Sequence, residues 1–510
     1  MNHLLILPIL VPAIVAPLLA LAVRNDIVLA RVFSIGSAVT LVALSLCLVG
    51  LATDGTVRTY SLGNWPAPYG IVLVLDRLAA IMLGLTSVLG LVVLLYAING
   101  CDRRGEHFHP LFQFQLMGLN GAFLTGDLFN LFVFFEVLLI ASYGLMVHGG
   151  GSTRVRAGVQ YVIINSVGSS IFLLSLGLIY GVTGTLNMAD LAIKVPQVES
   201  GDLALLYCGA AMLLVVFAIK SAVVPLQFWL PGTYANTSGP VAALFAIMSK
   251  VGAYSIIRIF TLVFGESAGE GAWFIAAWLM PASVLTMVLG MVGVVAARSL
   301  SQQASFAALG SIGTLMTAVA GFTPTAESAA MYYMVHSTLA IAALFLVIDA
   351  IVVRRLGSGD ALIVSPRIVQ SGLIASLFLI TAVAVIGLPP LSGFVGKLLI
   401  LDAVAELSGW PWIWGWLLGS SLLALIGFAA SGSLVFWKSG ETHERLKPLY
   451  PPPVALPMVA IGSVLVLLAA FTGLSGPALE YFDAAAEQLF DPQVYIEAVL
   501  GTDAGERLDG

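Results

Sequence analysis

The sequence runs to 510 residues, of which 59% are apolar and only 9% charged, with a mean hydropathy of +1.03; such a composition excludes a soluble globular enzyme and identifies a chain that crosses a membrane many times. A net charge of −6 leaves no basic footprint for nucleic acid. Cys47, Cys101 and Cys208 have neither CxxC nor Cys/His spacing, so no disulfide framework, metal site or cofactor is expected.

A crossing needs about 20 apolar residues, and about fourteen such stretches follow one another. They lie near 3–23, 28–52, 71–98, 108–126, 128–148, 156–181, 203–224, 239–264, 272–297, 302–322, 327–353, 367–407 (interrupted), 412–437 and 454–473. The expected fold class is therefore an all-α polytopic membrane protein. The first stretch lacks a basic leading region and is too long for an ordinary signal peptide, so it is read as a span. In the third, the adjacent Asp76 and Arg77 read as a local anchor. Gln113, Gln115 and Asn120 in the fourth, with Asn165 and Ser166 in the sixth, either hold water in a channel or bind helices to one another.

The fifth span, DLFNLFVFFEVLLIASYGL, opens on Asp127, an expected N-cap. It then carries Glu136 among Phe134, Phe135, Val137 and Leu138. An intramembrane carboxylate is expensive and marks a functional site unless it only pairs statically. Lys220 in the seventh span is its natural partner, since together both stay charged and apart the lysine tends to lose its proton. Pro225 follows five residues later and frees a backbone carbonyl that lipid cannot satisfy, so this helix is expected to be broken and to face protein or water. The loop 231–240, PGTYANTSGP, reads as a tight turn.

Lys250 stands well inside the eighth span, about 15 Å of helix from either end and out of snorkelling reach. It reads as the next proton site, while Arg258 is near enough to its end to snorkel. His336 is the histidine clearly inside a span, either a relay or a satisfied core residue. Asp349 and Asp402 are placed at span ends. The twelfth span, ITAVAVIGLPPLSGFVGKLLILD, is broken by Gly387, Pro389, Pro390 and Gly393, with Lys397 within two turns. A buried lysine costs about 2.5–3.5 kcal/mol on insertion scales, and lysine, unlike arginine, can release its proton there.

Two interrupted, lysine-bearing spans five apart run in opposite senses, the pattern of inverted repeats with a midplane site. Helices 1–3 are assigned to 1–107, the first repeat to 108–265 (spans four to eight), the second to 266–440 (spans nine to thirteen), and the last span with an interfacial tail to 441–510. Thirteen Lys and Arg fall in odd-numbered loops against four near the other face, which places both termini outside. PLYPPP (448–453) reads as a stiff lead into the last span.

The strings TGDLFNLFVFFEVLLIASYGL (125–145), KSAVVPLQFWLPGTYANTSGPVAAL (220–244) and GLPPLSGFVGKLLIL (387–401) resemble the antiporter-like subunits shared by respiratory complex I, membrane-bound hydrogenases and Mrp cation/proton antiporters. The resemblance covers nearly the whole chain, and its length is most similar to the D-subunit branch of the Mrp family, the A subunits being longer. It implies a hydrated mid-membrane proton path through Glu136, Lys220, Lys250, His336 and Lys397. It also implies partner membrane subunits, with the sodium route in a neighbour and the prokaryotic cell membrane as location. Where many complex I relatives place a lysine, Ala340, Ile341 and Ala342 stand here, so the step from Lys250 to Lys397 must use His336 and water. The alternatives are a proton-pumping subunit of a complex I-like or hydrogenase oxidoreductase, and a scaffold whose charges only fix packing.

Overall fold

The computed structural model describes residues 2–355, 357–438 and 455–501. Arg445, Lys447, Arg507 and the PLYPPP stretch lie outside the described residues. Nineteen α-helices account for most of these residues, and ten are long and apolar enough to cross a membrane by length and composition.

Helix α1 (Leu7–Leu21) and α2 (Ile27–Ala52) begin the chain, and Asp26 caps α2 by accepting from the Val28 and Leu29 amides at 2.9 and 3.0 Å. A short antiparallel hairpin follows, β1 (Arg58–Ser61) with β2 (Val72–Leu75), pairing Arg58 with Leu75 and Ser61 with Val72. The expected third span therefore starts late. The apolar run from 71 is strand up to Leu75, and α3 (Arg77–Ala97) begins only where Asp76 caps it. Then come α4 (Phe108–Leu124), α5 (Leu128–Val147), α6 (Ser152–Thr183), a short α7 (Met188–Lys194), α8 (Leu203–Ser221), α9 (Trp229–Asn236) and α10 (Gly239–Leu262). Asp127 caps α5 as expected, accepting from the Asn130 amide at 2.8 Å.

The second half continues with α11 (Ala276–Ala296), α12 (Leu300–Val319), α13 (Pro324–Arg354), α14 (Ser371–Ile386), α15 (Ser392–Val404) and α16 (Trp410–Gly432). Last are α17 (Ala455–Gly473), α18 (Ser475–Leu489) and α19 (Pro492–Leu500). Helices occupy each of the expected stretches, the twelfth divided in two, while α7, α9, α18 and α19 lie outside them.

Burial sorts the helices by position. The apolar stretch of α10 is wholly buried and those of α3 and α13 largely so, whereas α2, α6, α16 and α17 leave most of theirs outside. In a chain this apolar, exposed leucine and valine faces are what lipid covers, so α3, α10 and α13 lie toward the centre and α2, α6, α16 and α17 on the rim. Polar residues on the centre-facing sides bind helices together. Ser37 donates to Gln113 Oε1 at 2.8 Å, and Asn120 donates to the Pro8 carbonyl at 2.8 Å. Gln113 and Asn120 thus act as helix glue, the second of the two readings made of them.

Three expectations need correction. Asp76 does not anchor Arg77; it forms a buried, two-pronged ion pair with Arg258, at 2.5 and 2.8 Å. Arg258 therefore does not snorkel. Its guanidinium is held inside by that carboxylate and lies 5.5 Å from the Tyr254 ring and 5.4 Å from the Tyr495 ring. The stretch 231–240 is likewise no simple turn, because its first residues are helical in α9 and the unwound segment lies earlier, at 222–228.

The chain end returns to its beginning. Arg77 donates to the Ala484 carbonyl at 2.8 Å, Gln488 to the Gly55 carbonyl at 2.8 Å, and Thr59 to the Ala498 carbonyl at 3.3 Å. Helices α18 and α19 thus lie across α3, the hairpin and α13, their charged residues Glu480, Asp483 and Glu487 outward.

Candidate functional site

The break after α8 is built by backbone geometry. Ala222 takes a left-handed conformation, φ +56°, which ends the helix directly after Lys220 and Ser221. Trp229 Nε1 donates to the Ile219 carbonyl at 2.9 Å, which the Ala222 amide also reaches at 3.1 Å, and the Val224 amide donates to Thr286 Oγ1 of α11 at 2.9 Å. Lys220 consequently occupies the last turn of a half-helix, where unpaired carbonyls favour a cation.

Its ammonium donates to Asn165 Oδ1 of α6 at 3.1 Å and stands 5.7 Å from the centroid of the Phe135 ring. Glu136, one residue on from Phe135, accepts instead from the Ser169 hydroxyl, also on α6. Asn165 and Ser169 are four residues apart and so occupy one face of α6. That face separates the two charges: no ion pair joins Glu136 to Lys220. The direct pairing proposed from the sequence is replaced here by hydrogen bonds to two neutral side chains of α6, which comes between α5 and α8. A cavity of about 10 Å³ adjoins Lys220, lined among others by Asn165, Tyr161, Trp229, Met248 and Val251, room for about one water.

Met248 and Val251 bring one face of α10 to this cavity, and Lys250 stands on another face of the same helix. Lys250 is buried and its ammonium donates no hydrogen bond within the described residues. Gly252 is what lets α10 come so close, since a Cβ there would collide with Ser221.

The twelfth expected span breaks between Ile386 and Ser392, as expected. Gly387 sits at φ +80°, a conformation that needs glycine, and a Cβ on it would come within 2.8 Å of Lys397 Cδ. Lys397, in the second turn of α15, donates to the Ile386 carbonyl at 2.8 Å and to Ser421 Oγ at 2.8 Å. It thus closes the C-terminus of α14, whereas Lys220 reaches across to α6. His336 joins this group: its Nδ1 lies 2.8 Å from Ser392 Oγ, and Gly393 leaves room for its ring.

The structure thus holds Glu136 and Lys220 on one face of α6 and sets His336 and Lys397 at the α14–α15 break, while Lys250 is buried on α10, its ammonium without a hydrogen bond among the described residues. Sequence reasoning missed Ser169, Ser392 and Ser421, which hold the charged groups. Hydroxyls are common on apolar helices, and nothing in their spacing distinguishes these three. It also missed the Asp76–Arg258 pair, whose members are 182 residues apart.

The family described as NADH:quinone oxidoreductase/Mrp antiporter, TM matches residues 125–426, which include all five. Over 98% of its length, and 98% of the relative's, the chain is 41% identical to the D subunit of the probable K(+)/H(+) antiporter of Rhizobium meliloti (strain 1021). It is 38% identical to the D subunit of the Na(+)/H(+) antiporter of Bacillus subtilis (strain 168), over 98% of this chain and 100% of that one. Its fold superposes on a chain of the Mrp complex from Dietzia sp. DQ12-45-1b with a TM-score of 0.87 at 29% identity, covering 98% of this chain and 100% of the other.

Proposed function

The chain belongs to the NADH:quinone oxidoreductase/Mrp antiporter family, and from that premise we propose that it is the proton-translocating subunit of a multisubunit monovalent cation/proton antiporter in a bacterial cell membrane. It works as a transporter, with secondary antiport driven by the proton motive force, beside other membrane subunits that complete the cation route. The relatives' names differ in the cation, potassium in one and sodium in the other, so the proposal specifies a monovalent cation. Identity of 38–41% along almost the full length to antiporter subunits favours this reading over the oxidoreductase alternative.

One observation carries the mechanism. The lysines at both helix breaks are held by neutral acceptors, Asn165 in one case and the Ile386 carbonyl with Ser421 in the other, and not by carboxylates. A lysine locked in an ion pair keeps its proton; one held by an amide or carbonyl in a dry site can part with it. With Glu136 turned to Ser169, Lys220 is in the releasing arrangement. Movement of Glu136 toward Lys220 would recharge it, so α6 acts as the divider of a two-position switch. The proton passes from Lys220 to Lys250, then by His336 to Lys397. A membrane potential supplies about 2.3 kcal/mol per charge per 100 mV, comparable to one or two units of proton affinity.

The same reading takes 108–265 and 266–440 as inverted repeats, each with a broken helix as its fourth member, and sets both termini on the external side. Vesicles carrying the assembled complex test the mechanism. Glu136→Ala and Lys220→Ala should each abolish cation-dependent collapse of a pH gradient while assembly persists, and full activity in either removes the switch. Retained transport in the double Glu136→Gln/Lys220→Met variant would support the packing-only alternative.

A further inference from the structure

Helix α13 is unbroken for 31 residues and carries an acid toward each end, Glu327 and Asp349. They are 22 residues apart, about 33 Å along the axis and close to a whole number of turns, so they share one stripe of the helix. Thr338 lies midway on that stripe, eleven residues from each.

Asp349 shows which neighbour the stripe faces. A Cβ on Gly239, the first residue of α10, would collide with the Asp349 side chain. The far end of α10, at Arg258 and Leu262, shares a small cavity with α18 and α19 residues, and α18 lies over the start of α13, so α10 and α13 run antiparallel. Lys250 follows Gly239 by eleven residues, three turns along the same side of α10. It therefore comes to the depth of Thr338, at the middle of a stripe with a carboxyl group at either end. Asp349 accepts from the Tyr96 hydroxyl at 2.9 Å.

Glu327 has no such partner. It is wholly buried, and neither carboxyl oxygen takes a hydrogen bond from the described residues. Capping does not account for it, because Thr323 caps α13 by accepting from the Ala326 amide at 3.2 Å. A carboxyl this deeply buried and unpaired is costly to keep in a helix bundle, which marks Glu327 as placed for more than packing.

Charged groups on the elements around it are otherwise engaged. Arg258 is bound to Asp76, Arg77 to the Ala484 carbonyl, and Lys397 to Ile386 and Ser421. Asp402, Glu480 and Glu487 are exposed. Among the described residues of these elements, Lys250 is the cation left without a partner. The next residue along from Glu327, Ser328, donates to the exposed Asp483 of α18 at 2.5 Å, which brings a solvent-facing carboxylate to the Glu327 end of the stripe.

We propose that Glu327 is a proton-binding site through which Lys250 exchanges protons with the membrane face covered by α18. The proposal rests on the relay role given to Lys250 above. In the exchange, the Glu327 carboxyl gives its proton to a neutral Lys250 amine, leaving carboxylate and ammonium, and the carboxylate recovers a proton from the Asp483 side. The stretch between them, about 16 Å, carries Ala253, Ile257 and Thr261 on the Lys250 side of α10 and Met331 and Met334 on the Glu327 stripe of α13. The small Ala253, the hydroxyl of Thr261 and the pliable methionines leave a route for a file of water past Ile257.

The test uses the assembled complex in vesicles, with Glu327→Gln to keep the shape and remove the titrating proton, and Lys250→Ala beside it. Glu327→Gln should assemble, lower cation-driven proton flux by about tenfold or more, and remove an infrared carbonyl band of a protonated carboxylic acid. Wild-type flux, or an unchanged infrared spectrum, overturns the proposal. Loss of flux in Lys250→Ala alone would then leave the relay standing, whereas full flux in Lys250→Ala would bring down the relay itself. Should the glutamine variant fail to assemble, Glu327→Asp decides: a moved carbonyl band and a shifted pH profile of flux support the site, and unchanged ones overturn it.

Discussion

Removing one member of the Asp76–Arg258 pair should cost far more than removing both. The two side chains are only 3% and 4% exposed, and the guanidinium meets the carboxylate through two hydrogen bonds while lying beside two tyrosine rings. Arg258→Met leaves a buried carboxylate with only the Ala79 amide of its own helix start at 2.9 Å, and a broken buried pair costs about 3–5 kcal/mol. Asp76→Asn keeps that cap, since asparagine caps as well as aspartate, but strands a guanidinium at a similar cost. The two singles would sum to roughly 6–10 kcal/mol. The double variant buries two neutral groups and should lose only about 0–3 kcal/mol. Thermal denaturation of the purified complex in detergent, followed by size-exclusion profile, gives the ranking: both singles should denature well below the double. A double variant that denatures at or below the weaker single would mean additive losses, and the pair would then be two independent residues and no anchor.

Gly387→Ala should lower antiport severalfold and destabilise by about 1–2 kcal/mol, because alanine is strained at φ +80° and its methyl meets Lys397. Gly415→Ala, where nothing lies within 4 Å, is the neutral control in the same flux assay. Asn165→Leu removes the acceptor that holds Lys220, a charged hydrogen bond worth about 1.5–3 kcal/mol, and should cut flux about tenfold or more with assembly intact, while Ser170→Ala on the exposed side of α6 should not. At the loop between α3 and α4, burial alone would raise the Asp102 carboxyl, yet hydrogen bonds from His109 and Arg31 outweigh it and hold it at about 2, below the ordinary 3.8. A depressed carboxyl contributes its stability above the ordinary value and loses it as pH falls toward 2. Wild-type stability should therefore decline between about pH 4 and 2 at this site, and Asp102→Asn should flatten that decline in a pH series of melting curves.

Much of the fold was legible because each helix carries its own instructions. Apolar length set the spans, Asp26 and Asp127 marked starts, and Pro225 and Gly387 marked the two breaks. Hydrophobicity alone could not separate strand β2 from helix α3, since Val72–Leu75 is as apolar as the helix beyond it and only Asp76 divides them. The site was legible as a set of costly charges, each improbable in lipid on its own. What held those charges was not. Asn165 stood out as a polar residue in a span, but its bond to Lys220 depends on α6 lying between α5 and α8, and Ser421 reaches Lys397 only once α16 is packed. Such contacts belong to tertiary assembly, and a linear pattern of side chains carries no mark of them.

The hydrogen bond from Thr59 to Ala498 joins residues 439 positions apart. At ribosomal speeds of about 5–20 residues per second, some 20 to 90 seconds separate the synthesis of the two. Throughout that interval the amino-terminal hairpin must wait beneath an unfinished roof, with the guanidinium of Arg77 still lacking the carbonyl it will grip. Premature termination anywhere after α17 would thus yield a chain with its crossings in place and its top unsealed. Quality control could recognise such a nascent product by that open lid alone.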